Sequence, residues 1–296
     1  MGCGPLRGLD FYDENIGVRS MLIRWIEHFD PEAVAESGQC FRMRLKAPGL
    51  VEVIHRDRRL LIESLGDERF GFSCTEQEFR DLWEDYFDLS TDYNVFLNAV
   101  DKKDGYLIRA AGAGRGLRIL RQDPWEVLIS FILSQRKSIP AIRDGIEKLC
   151  RRFGNPLMTG EWEEYAFPTP QRLAQASLEE LSACSLGYRA PYIQAAARQV
   201  AAGETDLMGI ESFSDEALMQ KLLVLRGVGV KVASCVMLFG YHRLNLAPVD
   251  VWIQRVIENE YGGVSPFPRY EGFAGVMQQY MFYDQIAKKR LRKLTA

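Results

Sequence analysis

The sequence contains no C-x-x-C pair. Its six cysteines, Cys3, Cys40, Cys74, Cys150, Cys184 and Cys235, are scattered, and none follows Cys235. That spacing excludes the common zinc and iron–sulfur ligand sets, and a disulfide framework is not expected in a chain of 296 residues. No run approaches the roughly 18 apolar residues of a membrane span. The first twenty residues carry Arg7, Asp10, Asp13, Glu14 and Arg19 among few apolar ones, so no signal peptide is expected. A reduced, cytoplasmic setting follows, nucleoid-associated if the source is bacterial. Charge of one sign is also missing: 37 Lys+Arg against 40 Asp+Glu leave a net −3. Any nucleic-acid footprint would therefore be a local basic patch. Lys288-Lys289-Arg290-Leu291-Arg292-Lys293 is one candidate, and it reads equally well as a solvated helix end. Internal repeats and low-complexity segments are absent.

What is present is an ordinary globular composition, 47% hydrophobic and 26% charged, enough for a sizeable core in one large domain or a few packed subdomains. Leu50-Val51-Glu52-Val53-Ile54 and Arg59-Leu60-Leu61-Ile62-Glu63, separated by polar residues, predict two antiparallel strands. Thr75 with Glu78 three residues on predicts a boxed helix start. Asp123-Pro124-Trp125-Glu126 predicts another, followed by the apolar body Val127–Ser134. Further helices are predicted over 139–153, 178–184, 192–202, 214–225, 231–239, 251–261 and 272–288. The expected fold is α+β. A small antiparallel sheet domain with helices (1–105) precedes a mostly helical body (106–296), with a helix-hairpin-helix at about 214–240 and a loop at about 245–252.

The most informative stretch is Leu225-Arg226-Gly227-Val228-Gly229-Val230-Lys231-Val232-Ala233. One helix ends, a Gly-x-Gly turn follows, and a second helix begins. Glycines allow positive φ and close backbone approach, and a helix N-terminus offers free N–H groups to a phosphate. The unit can clamp a nucleic-acid backbone without reading bases. A bare Gly-x-Gly can also be a packing corner, and the phosphate-loop spacing is absent. Lys231 sits in the first turn of an apolar helix, where the dipole opposes a positive charge and favours the neutral, nucleophilic amine. It could also be a lysine reaching out to solvent. Asp250, after Pro248-Val249, is placed to cap helix 251–261 and to stabilise positive charge near Lys231.

These residues resemble the base-excision DNA glycosylases of the helix-hairpin-helix (HhH-GPD) superfamily, and lysine at 231 marks the members that also nick the strand. Leu120–Glu126, Leu186-Gly187-Tyr188-Arg189-Ala190 and Ser37-Gly38-Gln39-Cys40-Phe41-Arg42 resemble 8-oxoguanine DNA glycosylase/lyases, over about residues 37–286. The resemblance implies a monomer acting on duplex DNA with oxidised guanine, with neither a membrane nor a catalytic metal or cofactor, beyond a monovalent cation at the hairpin carbonyls. It implies Lys231 as nucleophile and Asp250 as charge stabiliser. Gly38 would accept the N7–H of 8-oxoguanine, Gln278 would bond its Watson–Crick edge, Phe282 would stack on it, and Cys235 would form the opposite wall. Gln278 and Phe282 are four apart and share a helix face, though Gln279 competes in register. Gly227, Gly229 and Val230 would hold the backbone.

Three positions depart from the family pattern. Arg136 and Ala141 stand where an asparagine and, in animal-type members, an arginine contact the orphaned cytosine, while Arg189 is kept. Looser opposite-base discrimination is expected. Arg136 and Lys137 could instead hold phosphates, or Gln135 and Arg136 could wedge into the gap left by the flipped base. Trp252 replaces a phosphate-contacting histidine. Two other readings stay open: an alkylated-base glycosylase, which would lack the lysine, and a non-catalytic DNA-binding module, which would not need Asp250.

Overall fold

The computed structural model describes residues 21–159 and 162–294. The first twenty residues, with Cys3 and the charges read there, lie outside the described residues, as do the side chains of Arg292 and Lys293. The expected strand pair forms as β3 (Leu50–His55) and β4 (Arg58–Ser64), with Val51 opposite Ile62 and Val53 opposite Leu60. The turn between them uses Arg56 at φ 53°. Three further strands complete an antiparallel sheet: β1 (Leu22–Trp25), β2 (Met43–Ala47) and β5 (Arg69–Phe72), in the order β1-β5-β4-β3-β2. β1 and β5 are four residues each, too short to show an alternation pattern.

One face of the sheet buries Val51, Val53, Leu60, Ile62 and Phe72 with Trp83 and Phe87 from the following helical run. That run is Glu76–Glu78 and Glu84–Tyr86 joined by the π-helical Phe79–Trp83. Thr75 caps it, accepting from Glu78 N at 3.1 Å, but the Glu78 carboxylate accepts from Trp83 Nε1 at 3.0 Å, so only half of the expected box forms. Glu52, on the strand β3, is buried too, and its charge is met by Arg44 and Arg59.

Helix α1 (Pro31–Glu36) lies against β2 and β3. It starts at Asp30, whose side chain accepts from Ala33 N at 2.9 Å, and ends at Ser37, so the chain leaves it directly into Gly38.

The helical body is built on α2 (Pro124–Ser134), α3 (Ile139–Phe153), α4 (Ala190–Ala201), α5 (Asp215–Leu223), α6 (Val230–Gly240), α7 (Val251–Tyr261) and α8 (Ala274–Leu294). Asp123 caps α2 as expected, accepting from Trp125 N and Glu126 N. Every residue of α2 from Pro124 to Leu133 is buried, and the neighbouring α6 packs along it. At the start of α8 a glycine is required. A Cβ at Gly275 would lie 2.5 Å from the Leu246 carbonyl, so helix and loop meet backbone to backbone.

Residues 117–122 stitch sheet and helices together. Arg118 is buried, stacks 4.7 Å from the Tyr93 ring centroid, and donates to the carbonyls of Glu27, His28, Asp88 and Thr91. A guanidinium without water needs that many acceptors.

Candidate active site and nucleic-acid interface

Helix α6 opens at Gly229 with no side-chain cap, so its first N–H groups stay free. Lys231 stands in this first turn. Its ammonium lies 5.1 Å from the centroid of Phe131 on α2, a ring that stacks on Phe239 and meets the edge of Phe41. One turn on from Lys231, Cys235 is buried. Burial pushes the thiol up, against the pull of the Lys231 charge, and the Asp250 carboxylate pushes it up further. Burial therefore prevails over the Lys231 charge and favours the neutral thiol. Lys231, Cys235 and Asp250 share one electrostatic environment.

Asp250 caps α7: its Oδ1 accepts from Trp252 N and Ile253 N, both at 2.9 Å. Both cap bonds fall on one oxygen, which leaves Oδ2 for other use. Trp252 packs under cations, with Lys289 Nζ 4.9 Å and the Arg255 guanidinium 5.9 Å from its ring. The basic tail is partly neutralised, since Lys288 pairs with Asp284 at 2.7 Å and Arg290 with Glu36.

Some distance along the chain, Gly38 turns at φ +77°, and a Cβ there would lie 2.9 Å from the Phe282 ring on α8. Gly38 and Phe282 thus meet closely, as a shared wall would need. Gln278 is 5% exposed and its Oε1 has no partner among the described residues, whereas Gln279 donates to the Ser37 carbonyl at 2.8 Å. The two neighbours therefore differ: Gln279 is spent on the protein, and Gln278 keeps an open acceptor.

The hairpin's two glycines differ. Gly227 has φ +87°, and a Cβ there would lie 2.6 Å from Tyr192, so the fold itself demands glycine. Gly229 has an ordinary φ of −100°, and a Cβ there would meet nothing. Its bareness serves nothing inside the chain and leaves room for an outside backbone. Exposed apolar residues ring this edge: Val230 (65%), Val249 (40%) and Val251 (64%).

The α2–α3 loop joins the same edge. Gln135 Nε2 donates to the Gly227 carbonyl at 3.0 Å, tying loop to hairpin. Arg136 is exposed, with no hydrogen bond among the described residues, at φ 52°, a left-handed conformation asparagine adopts more readily. Arg189 is buried against Tyr188, 4.2 Å from its ring centroid. It donates to the Gln135 carbonyl and keeps an unpartnered Nε. Lys137 donates to the Ser185 carbonyl, and burial together with the Arg189 charge pushes its ammonium down. Sequence reasoning missed Phe131, Gln39 and Gln122. Phe131 belongs to a helix read only as core, and the two glutamines sit inside motifs without any spacing signal.

A five-stranded sheet set on a helical body, with a lysine opening the second helix of a Gly-x-Gly hairpin and a capping aspartate beside it, defines a helix-hairpin-helix base-excision glycosylase architecture. The 8-oxoguanine DNA glycosylase N-terminal domain model matches residues 21–128, and the HhH-GPD superfamily base excision DNA repair protein model matches residues 129–272. The chain is 32% identical over 236 residues to a probable N-glycosylase/DNA lyase of Methanothermobacter thermautotrophicus, covering 70% of this chain and 75% of that protein. It is 36% identical over 159 residues to the N-glycosylase/DNA lyase of Saccharomyces cerevisiae, covering 50% of this chain and 42% of the yeast protein. The 8-oxoguanine glycosylase/lyase of Clostridium acetobutylicum, solved with double-stranded DNA containing cytosine opposite 8-oxoguanine, superposes with a TM-score of 0.85 at 29% identity, covering 93% of this chain and 100% of that one. The chain belongs to the 8-oxoguanine DNA glycosylase family of the HhH-GPD superfamily.

Proposed function

We propose that this protein is a bifunctional DNA glycosylase/lyase that flips 8-oxoguanine out of duplex DNA and excises it. The carrying observation is Lys231 in the first turn of the uncapped α6, its ammonium over Phe131, beside the bare Gly229 edge. The duplex backbone lies on Gly227–Val230 with a phosphate at the free N–H groups. The lesion enters between Phe282 and Cys235, with Gln278 at its Watson–Crick edge. The amine of Lys231 attacks the sugar C1′, and the glycosidic bond breaks with its electron pair leaving on the base, which takes up a proton. The Asp250 carboxylate stabilises the positive charge that develops at the sugar. The nitrogen lone pair then forms the C=N bond of a protonated Schiff base as the C1′–O4′ bond breaks, its electron pair going to O4′, which takes up a proton. Loss of the C2′ proton expels the 3′ phosphate and nicks the strand. Such an enzyme works where the genome is, in the cytoplasm or on the nucleoid.

A monovalent cation at the hairpin belongs to the same proposal. The carbonyls of Leu225 and Gly227 each accept one hydrogen bond, from Val228 N at 3.1 Å and Gln135 Nε2 at 3.0 Å, and each keeps a second lone pair. The ion would brace the hairpin.

Among the described residues no helix is long and apolar enough to cross a membrane. The alkylated-base alternative is disfavoured by the nucleophile position of Lys231. Incubating the protein with 8-oxoguanine duplexes and borohydride should give a covalent adduct, which Lys231→Gln should abolish while DNA binding persists. Retained trapping in that variant would remove Lys231 from the reaction. Adduct yields should be similar opposite all four bases, because Arg136 and Ala141 replace cytosine contacts, and a strong cytosine preference would refute the relaxed reading.

A further inference from the structure

Gly38 sits in a run whose hydrogen bonding has a pattern. The carbonyl of Ser37 is taken by Gln279 Nε2 at 2.8 Å, and the carbonyl of Gln39 by Gln122 Nε2 at 2.9 Å. The Gln39 side chain is itself held at both ends. Its Nε2 donates to Ser37 Oγ at 3.0 Å and to the Arg118 carbonyl at 2.9 Å, and its Oε1 accepts from Leu120 N at 2.9 Å. All three glutamines are buried, at 1%, 8% and 2% exposure for Gln39, Gln122 and Gln279. Between two engaged carbonyls, the carbonyl of Gly38 receives no donor among the described residues.

We propose that Gln39, Gln122 and Gln279 are positioning residues for lesion recognition: they immobilise the peptides flanking Gly38 so that its one free carbonyl is presented in a fixed direction to the flipped base. The inference rests on the reading of Gly38 as acceptor of the N7–H of 8-oxoguanine, and assigns the selectivity of that contact to three side chains that touch no DNA. The physical reason is tolerance. A glycine at φ +77° is the residue least able to hold its own peptide planes. A single hydrogen bond discriminates only if its acceptor cannot swing toward another partner or toward water. Each amide comes from a different element: Gln39 from the turn after α1, Gln122 from the stretch before α2, and Gln279 from α8. The sheet domain and the helical body are thereby both anchored to the reading carbonyl. The arrangement also separates the adjacent Gln278 and Gln279 by task, reader and clamp.

The test is a split between two reactions of the same protein. Gln279→Met and Gln122→Met keep the side-chain length and remove the donors. Single-turnover excision from 8-oxoguanine duplexes should fall about tenfold, as a displacement of the order of an ångström at a reading group demands. Strand cleavage at a preformed abasic site, which needs Lys231 but no base, should stay within about twofold. Thermal melting establishes that each variant folds, and Gln39→Met serves if one of the first two does not. An equal fall in both reactions would make the amides merely structural, and unchanged excision would make them dispensable; either overturns the proposal. Wild-type binding that failed to distinguish 8-oxoguanine from guanine would instead sink the reading of Gly38, and the proposal with it.

Discussion

At Asp250 a single oxygen serves the helix cap, while the proposed mechanism uses the charge of the group, so substitution can separate the two. Asn is as good a cap as Asp but neutral. Asp250→Asn should leave the melting temperature almost unchanged while excision falls at least about a hundredfold, the scale of losing one electrostatic stabiliser. Asp250→Ala should lose activity similarly and about 1 kcal/mol of stability besides. If the two variants melted alike, the cap would carry no stability of its own. Phe131 is the second residue to test. A cation over a ring face is worth about 0.5–2 kcal/mol, enough to hold Lys231 over that ring. Phe131→Leu should slow borohydride trapping about tenfold with DNA affinity little changed, and Phe131→Tyr, which restores a ring, should recover it. A Tyr variant no better than Leu would reduce Phe131 to core packing.

At the scale of the element, the hairpin offers an internal comparison. Gly227 has both a left-handed φ and Tyr192 where a side chain would go, so Gly227→Ala should cost well over 1 kcal/mol of stability. Gly229 faces open space at φ −100°. Gly229→Ala should melt within a few degrees of wild type and yet bind duplex DNA markedly more weakly, because the added methyl projects into the space left for a backbone. Titration of labelled duplex against both variants, with melting curves, checks this. Undiminished affinity in Gly229→Ala would move the DNA off this edge. The same element shows why a loop was hard to read. Gln135 reaches across to the Gly227 carbonyl and Arg189 to the Gln135 carbonyl, so the conformation of Arg136 is set by residues 54 and 92 positions away from Gln135.

At the scale of the molecule, the seam between sheet and helices holds ionisable groups away from water. Arg42 is buried, donates to the Tyr165 carbonyl at 2.6 Å and pairs with Glu147 at 3.4 Å. Glu126 is buried nearby, and burial pushes its carboxyl up to about 8 against the pull of Arg42. Burial likewise pushes His55 down to about 3. The signs follow from which form folding disfavours. Glu126 resists ionisation, so its cost is absent at pH below its ordinary value of 4.5 and grows as pH rises toward about 8. His55 resists protonation, so its cost is absent above its ordinary 6.5 and grows as pH falls toward about 3. Glu126→Gln should therefore raise stability more at pH 8 than at pH 5. Denaturant melts at the two pH values measure the difference, and an equal effect at both would place an ionised Glu126 in the native state.

The sequence by itself determined the central strand pair, the starts of α2, α5 and α7, the hairpin, and the places of Lys231 in the first turn of α6 and of Asp250 as the cap of α7. Each of these is a local signal: a cap residue, a two-residue alternation, or a glycine turn acts within a few positions of itself. The strands β1 and β5 escaped because four residues carry no period. The half-formed box at Thr75 was misread because Trp83, packed from the core, draws the Glu78 carboxylate away. Tertiary structure alone decided which of Gln278 and Gln279 is engaged by the protein, since adjacent helix positions differ by about 100° and only the Ser37 carbonyl, far away in sequence, picks Gln279. It alone decided that Phe131 lies under Lys231, that Cys235 is buried, and that the Gly38 carbonyl has no donor among the described residues. Such properties depend on burial and on partners from distant segments, and a hydrogen-bond donor or a low-dielectric wall exists only once the chain has closed around it.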